Sequence, residues 1–238
     1  MNWNVYSKYW NSHAPSQEKF EYFLFLQFVE SYFKMKEIYK PVVVEIGVRG
    51  VAQASYYINL LNAEYTGIDI AAKNSNLVIE GDSHDPATVE KLKEKLAGRP
   101  INLLFIDGWH SYESAKADWD LYSPLTENLV GIHDINWKIN YFPDDKHHNP
   151  EGDMPSVRKL WQELYDQNHS MVSFQCPGTI EVDHGEKGKE KFYGDPGIGV
   201  VVLDRSEIET RWVFKESRFK KMWGENGRAY PRIGNFSE

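Results

Sequence analysis

Residues 42–50 read VVVEIGVRG and residues 101–112 read INLLFIDGWHSY. In each, a continuous apolar run stops at a carboxylate and a glycine. Short apolar runs bounded by turn residues suit strands buried on both faces, as in a parallel sheet covered by helices. The texture repeats outward from these two stretches. YTGIDI at 65–70, LVIE at 77–80 and LVGIH at 129–133 read as further strands. Helices are expected after Gly50, from Asp85 to Ala97 and from Ser111 to Tyr122. Five strand units with helices between them are the pattern of a parallel α/β sheet, and right-handed crossovers put those helices on both faces.

Outside this region the pattern changes. Upstream, SQEKFEYFLFLQFVESYFKMKEIY at 16–39 carries Tyr22, Phe25, Leu26, Val29, Tyr32 and Phe33 at helical spacing, with Ser16 a candidate N-cap and Pro41 closing the segment. This helix suits core packing, a cleft cover or a homo-oligomer contact. Downstream of Asp134, residues 136–153 are polar and rich in turn formers, followed by a helix expected from Pro155 to Asn168 and strands at 171–174 and 199–203. The intervening stretch, 176–198, reads as a second long polar connection. The tail from Arg211 interleaves basic residues with Trp212, Phe214, Phe219 and Trp223 and is expected to pack on its parent domain. The division that follows is a helical extension at 1–40, a catalytic domain at 41–204 and the tail at 205–238.

The 238 residues suffice for one well-cored domain with additions. A net charge of −8 argues against a nucleic-acid coat, because the phosphate backbone is repelled. The single cysteine, Cys176, permits no intrachain disulfide, so a reducing cytoplasmic setting is expected. Neither a signal peptide nor a membrane span is legible in the apolar runs.

Ligands of a doubly wound sheet bind beyond the carboxyl ends of its strands. All five strand ends carry an acidic residue: Glu45, Asp69, Asp82, Asp107 and Asp134. The turn from Glu45 through Gly47 to Gly50 lets the backbone approach a ligand, but it lacks the three-glycine spacing that binds pyrophosphate. Asp69 is placed to accept ribose hydroxyls, or to cap a helix. Asp82 or Ser83 could bond an adenine edge, with Ser83 or Asp85 as the cap of the next helix. Asp107 with His110 could supply a cation ligand and a general base, although a lone histidine is more often a surface or capping group. Asp134, beside His133, brings a second carboxylate to the neighbouring strand end, and two such groups repel unless a positive charge lies between them.

VVVEIGVRG, YTGIDI, IEGDSHDPATVEKL, INLLFIDGWHSYESAKADWDLYSPL and GIHDI, in this order and spacing, resemble the Rossmann-like S-adenosylmethionine-dependent methyltransferases. More narrowly the chain resembles the group containing macrocin-type O-methyltransferases and the so-called cephalosporin hydroxylases. The resemblance covers about residues 41–135 well, and its most specific part is FIDGWHSYE followed by GIHD. It implies a doubly wound, mostly parallel seven-stranded sheet with an antiparallel last strand. It further implies that Glu45, Gly47 and Gly50 cradle the methionine part of S-adenosylmethionine, that Asp69 holds the ribose, and that Asp82 and Ser83 lie near the adenine. Asp107 belongs to the cofactor site and, with Asp134 and His133, to a candidate magnesium site, while His110 is the suggested base. Two departures stand out. Gly50 comes one position early, leaving Val51 where such relatives carry glycine, and His133-Asp134 replaces their frequent Glu-Asp, although imidazole is a poor magnesium ligand.

The function expected is methyl transfer to an oxygen of a small hydroxylated acceptor. The competing readings are a non-catalytic cofactor-binding scaffold and an enzyme using NAD or a nucleotide sugar; the missing pyrophosphate turn counts against the latter. An iron hydroxylase lacks an evident two-histidine, one-carboxylate spacing.

Overall fold

A computed structural model describes residues 1–15, 17–71, 76–135, 157–167, 169–174, 179–183, 189–193 and 197–204. Two helices lead, α1 (Trp3–His13) and α2 (Lys19–Met35), followed by β1 (Val42–Ile46), α3 (Ala52–Leu61), β2 (Glu64–Asp69) and β3 (Val78–Glu80). Then come α4 (Pro86–Leu96), β4 (Ile101–Ile106), α5 (Tyr112–Tyr122), β5 (Thr126–His133), α6 (Val157–Asp166), β6 (Ser170–Phe174), β7 (Thr179–Asp183), β8 (Lys189–Tyr193) and β9 (Ile198–Val202).

Seven strands form one sheet in the order β3-β2-β1-β4-β5-β9-β6. The first five are mutually parallel, and β9 inserts antiparallel to both β5 and β6. Strand order reverses between β1 and β4, so their carboxyl ends border the crevice where a doubly wound sheet takes its ligand. The expected mixed seven-stranded sheet is therefore present.

Alternate residues of each strand feed opposite faces. Val43, Leu103, Phe105 and Leu129 pack with α1, α2 and α3, whereas Val42, Val44, Leu104, Ile106 and Val130 pack with α4, α5 and α6. Helix α2 is apolar on nearly every side because it lies between two layers. Phe25 meets Phe105 and Phe174 of the sheet, while Phe23 meets Trp3 and Tyr6 of α1. Its apolar stripe, expected to serve core, cleft or oligomer, is thus covered within the chain.

Local chemistry sets the helix starts. Asp85 caps α4 by accepting from Ala87 N–H, with Pro86 at the first turn, and Ser111 caps α5 by accepting from Ser114 N–H. The cap of α2 differs from expectation: Glu18 accepts from the N–H groups of Phe20 and Glu21, and Ser16 lies outside the described residues. Helix α1 was not legible as a separate element, since its stripe of Trp3, Tyr6 and Trp10 is diluted by polar residues. Residues 176–198, read as a polar connection, contain the antiparallel ribbon β7–β8. Its signal was the β-branched residues of Thr179–Asp183. Asn136, the rest of the 136–153 stretch and the tail at 205–238 lie outside the described residues. Among those described, no helix is long and apolar enough to cross a membrane.

Candidate functional site at the carboxyl ends of the strands

The turn after β1 abuts the end of β4. Gly47 has φ +84°, and a Cβ there would stand 2.0 Å from the Asp107 carbonyl oxygen and 2.6 Å from Gly108 Cα. Only glycine fits both the conformation and the approach. Gly50 is different: nothing lies within 4 Å of where its Cβ would be. The other left-handed positions of this loop fall on Arg49 (φ 47°) and Val51 (φ 59°). Val51 thus adopts the conformation that glycine would take at the position where the resembling proteins carry it, a strained choice for a β-branched residue.

Asp69 at the end of β2 braces the loop. One of its oxygens accepts from Arg49 N–H at 2.9 Å and the other from Ala71 N–H at 2.8 Å. A carboxylate has about four lone-pair directions, so this bracing leaves acceptor capacity for a diol. Asp82 is exposed and accepts from His84 N–H at 2.9 Å. The Ser83 carbonyl accepts from Tyr122 Oη–H at 2.7 Å. Beneath this turn, on α5, Asp118 is buried with His84 Nε2 at 3.2 Å. Burial pushes the Asp118 carboxyl up to about 6, against the opposing pull of Ser83 and His84.

Glu45 is wholly buried on the sheet face shared with α2 and α3. Its Oε2 accepts from the Tyr65 hydroxyl, and its Oε1 has no hydrogen-bond partner. Burial drives its carboxyl well above the usual range; the Tyr65 bond opposes this, and Asp107 and Asp69 add to it.

The tips of β4 and β5 bring four chemical groups together. Nδ1 of His110 lies 3.0 Å from Asp134 Oδ2, and Nδ1 of His133 lies 2.9 Å from Asp107 Oδ1 and 3.3 Å from Asp134 Oδ1. Burial favours neutral His133, but Asp134 and Asp107 outweigh it, so the imidazole is held protonated well above its ordinary range. The two carboxylates that seemed to require a cation between them have one in the chain itself. A ligand atom from each of Asp107, His110 and Asp134 lies within 4.8 Å of the others, a set able to hold a metal ion. The third member of that set is His110, whereas sequence reasoning had named His133, which bonds to the carboxylates instead.

Two contributors from the N-terminal segment went unnoticed in the sequence. Gln17 Nε2 donates to Asp107 Oδ2 at 2.6 Å, and the buried Glu21 has Oε1 3.9 Å from His133 Nε2. Glu21 did leave a signal, a lone carboxylate within the apolar surface of α2. Gln17 left none, because an isolated glutamine before a helix is unremarkable. Asp118 was equally silent as one of several acids in a solvated helix pattern.

No protein-family model and no curated protein matches the sequence. Among solved structures the chain is similar to MycE methyltransferase from the mycinamycin biosynthetic pathway in complex with Mg, SAH and mycinamycin VI. The TM-score is 0.51 at 17% identity, over 87% of this chain and 56% of that one. A second MycE structure, with Mg and SAH, gives a TM-score of 0.52 at 18% identity over the same shares. This chain therefore spans little more than half the length of MycE. The strand order, the antiparallel β9 and these similarities establish that the protein has the fold of S-adenosylmethionine-dependent methyltransferases.

Proposed function

We propose that the protein transfers a methyl group from S-adenosylmethionine to an oxygen of a small hydroxylated acceptor, of sugar or natural-product type. The observation that carries this reading is the convergence of Asp107, His110, His133 and Asp134 at the tips of β4 and β5, against the Gly47 turn. A scaffold has no use for two carboxylates, Asp107 partly buried and Asp134 fully buried, set against two histidines. A net charge of −8 supports a small acceptor over a nucleic acid.

The residues present fit the cofactor. The Gly47 turn is pared to backbone where a ligand would approach, Asp69 retains acceptor capacity, and acidic groups line the end that would receive a cationic methionine moiety. When bound, the sulfonium supplies an already electrophilic methyl, which leaves the protein to align the acceptor and remove its proton. His110 serves as base. Asp134 Oδ2 stands 3.0 Å from its Nδ1, close enough to stabilise the imidazolium that forms when His110 takes the proton. Asp134 is held in place in turn by His133, and Asp107 by His133 and Gln17. A divalent ion held by Asp107 and Asp134 would fix the acceptor oxygen and lower its pKa, leaving the imidazole of His110 free to act as base. MycE, in complex with Mg, supports testing for one.

The test is calorimetric titration with S-adenosylmethionine, S-adenosylhomocysteine and NAD, each with and without magnesium. Micromolar binding of the two sulfur ligands and none of NAD is the expected result. Binding of NAD alone would overturn the reading in favour of a different cofactor.

A further inference from the structure

Two buried side-chain amides flank the Gly47–Val51 turn, and each has one atom without a hydrogen-bond partner. Gln17 is 6% exposed; its Nε2 donates to Asp107 Oδ2, and its Oε1 is unpartnered. The amide orientation is chemically forced, since an oxygen turned toward the carboxylate would repel it. Gln53 is also 6% exposed, and its Nε2 is the unpartnered atom. One site lacks a donor and the other lacks an acceptor.

Their surroundings have opposite character. Gln17 Oε1, on the same planar amide as Nε2, lies beside the Asp107 carboxylate, an environment suited to a cation. Gln53 is the second residue of α3, whose start has no side-chain cap, so that its first-turn N–H groups and the helix dipole favour an anion. It shares a helix face with Tyr57 one turn on, and the electrostatic influence of Glu45 and Asp107 reaches that tyrosine. Both glutamines therefore belong to the side of the sheet covered by α2 and α3, near the tips of β1 and β4. A ligand carrying an ammonium and a carboxylate on one carbon satisfies both.

We propose that Gln17 and Gln53 grip the zwitterionic amino-acid end of the cofactor, Gln17 Oε1 accepting from the ammonium and Gln53 Nε2 donating to the carboxylate. This deepens the methyltransferase reading and rests on it. It also makes the segment before α2 part of the binding site, with Gln17 serving additionally to position Asp107.

The test compares two probes that share the thioadenosine portion. S-adenosylhomocysteine carries the amino-acid end, and 5′-methylthioadenosine lacks it. In the full-length protein, Gln17→Leu and Gln53→Leu each weaken S-adenosylhomocysteine binding about tenfold or more, as expected for lost bonds to charged groups, and leave 5′-methylthioadenosine within about twofold. Gln53→Glu, which opposes the ligand carboxylate with another, weakens the first probe further still. Gln17→Asn and Gln53→Asn, which keep the amide but are one methylene too short to reach, repeat the pattern should a leucine variant fail to fold by circular dichroism. Unchanged affinity in the variants, or equal loss for both probes, overturns the grip while leaving the methyltransferase reading intact. A wild-type protein that binds neither probe overturns both.

Discussion

Nδ1 of His110 stands 3.0 Å from Oδ2 of Asp134, an aspartate whose side chain is 1% exposed against 27% for the histidine. A buried carboxylate at that distance stabilises the imidazolium that a histidine base becomes. His110→Ala is therefore expected to lower kcat by about 10²–10⁴-fold, the usual worth of a positioned base, with S-adenosylhomocysteine affinity within about twofold of wild type. Single-turnover kinetics beside calorimetry separates the two quantities. Near-wild-type turnover would remove His110 from the mechanism.

His133 supplies the positive charge between Asp107 and Asp134. Magnesium must compete with that imidazolium, so wild-type binding is expected to be weak. His133→Glu replaces a cation by an anion, and at an effective dielectric of about 20 a unit charge at about 4 Å is worth about 4 kcal/mol. Magnesium titration should show the variant binding at least about tenfold tighter. Equal affinities would mean that the ion, if it binds, does so elsewhere.

Two glycines of one turn make a contrast. Gly47→Ala drives a Cβ into the Asp107 carbonyl and forces a left-handed alanine, whereas Gly50→Ala meets open space. Chemical denaturation should record a loss of about 3 kcal/mol or more for the first and within about 0.5 kcal/mol for the second.

Asp118 makes stability depend on pH. Its folded-state pKa of about 6 is above the ordinary aspartate value of 3.8, so the folded state holds this proton more tightly. The resulting contribution is fully present below about pH 4 and is lost as pH rises to about 6. A gap of about two units corresponds to roughly 3 kcal/mol. Asp118→Asn should lose this change, and urea midpoints of the two proteins between pH 4 and pH 8 provide the comparison. Parallel profiles would assign the dependence to other groups.

Phe25 joins α2 to the sheet through Phe105, with ring centroids 5.1 Å apart, and is fully buried. Phe25→Ala should cost about 3–5 kcal/mol in equilibrium unfolding. A loss below about 1 kcal/mol would show that α2 contributes little to the core.

The parallel strands were legible because burial on both faces demands uninterrupted apolar runs, and INLLFI and YTGID stop at Asp107 and Asp69, which lie at the less buried edge of that core. Helix α4 was legible through Asp85-Pro86, whose capping preference is local. The β7–β8 ribbon was hidden because its residues alternate with polar ones without an apolar run, and α1 because Trp3, Tyr6 and Trp10 pack against distant partners on α2 and α3. At the site, each acidic strand end could be located from its neighbours along the chain.

Which groups meet could not be located that way. The sequence placed His133 beside Asp134 and read both as metal ligands, yet the imidazole bonds to Asp107 across the β4–β5 pair and leaves His110 to complete the ligand set. Gln17 reaches Asp107 from 90 residues away, and Glu45 faces Tyr65 from 20. Apolar periodicity, turns and caps arise from interactions within a few residues, so the order of residues specifies strands, helix starts and the edge of the sheet that carries the acids. The raised pKa of His133 and of Glu45, and the joining of the N-terminal segment to the site, come from desolvation and charge among residues that are neighbours only after the chain has folded.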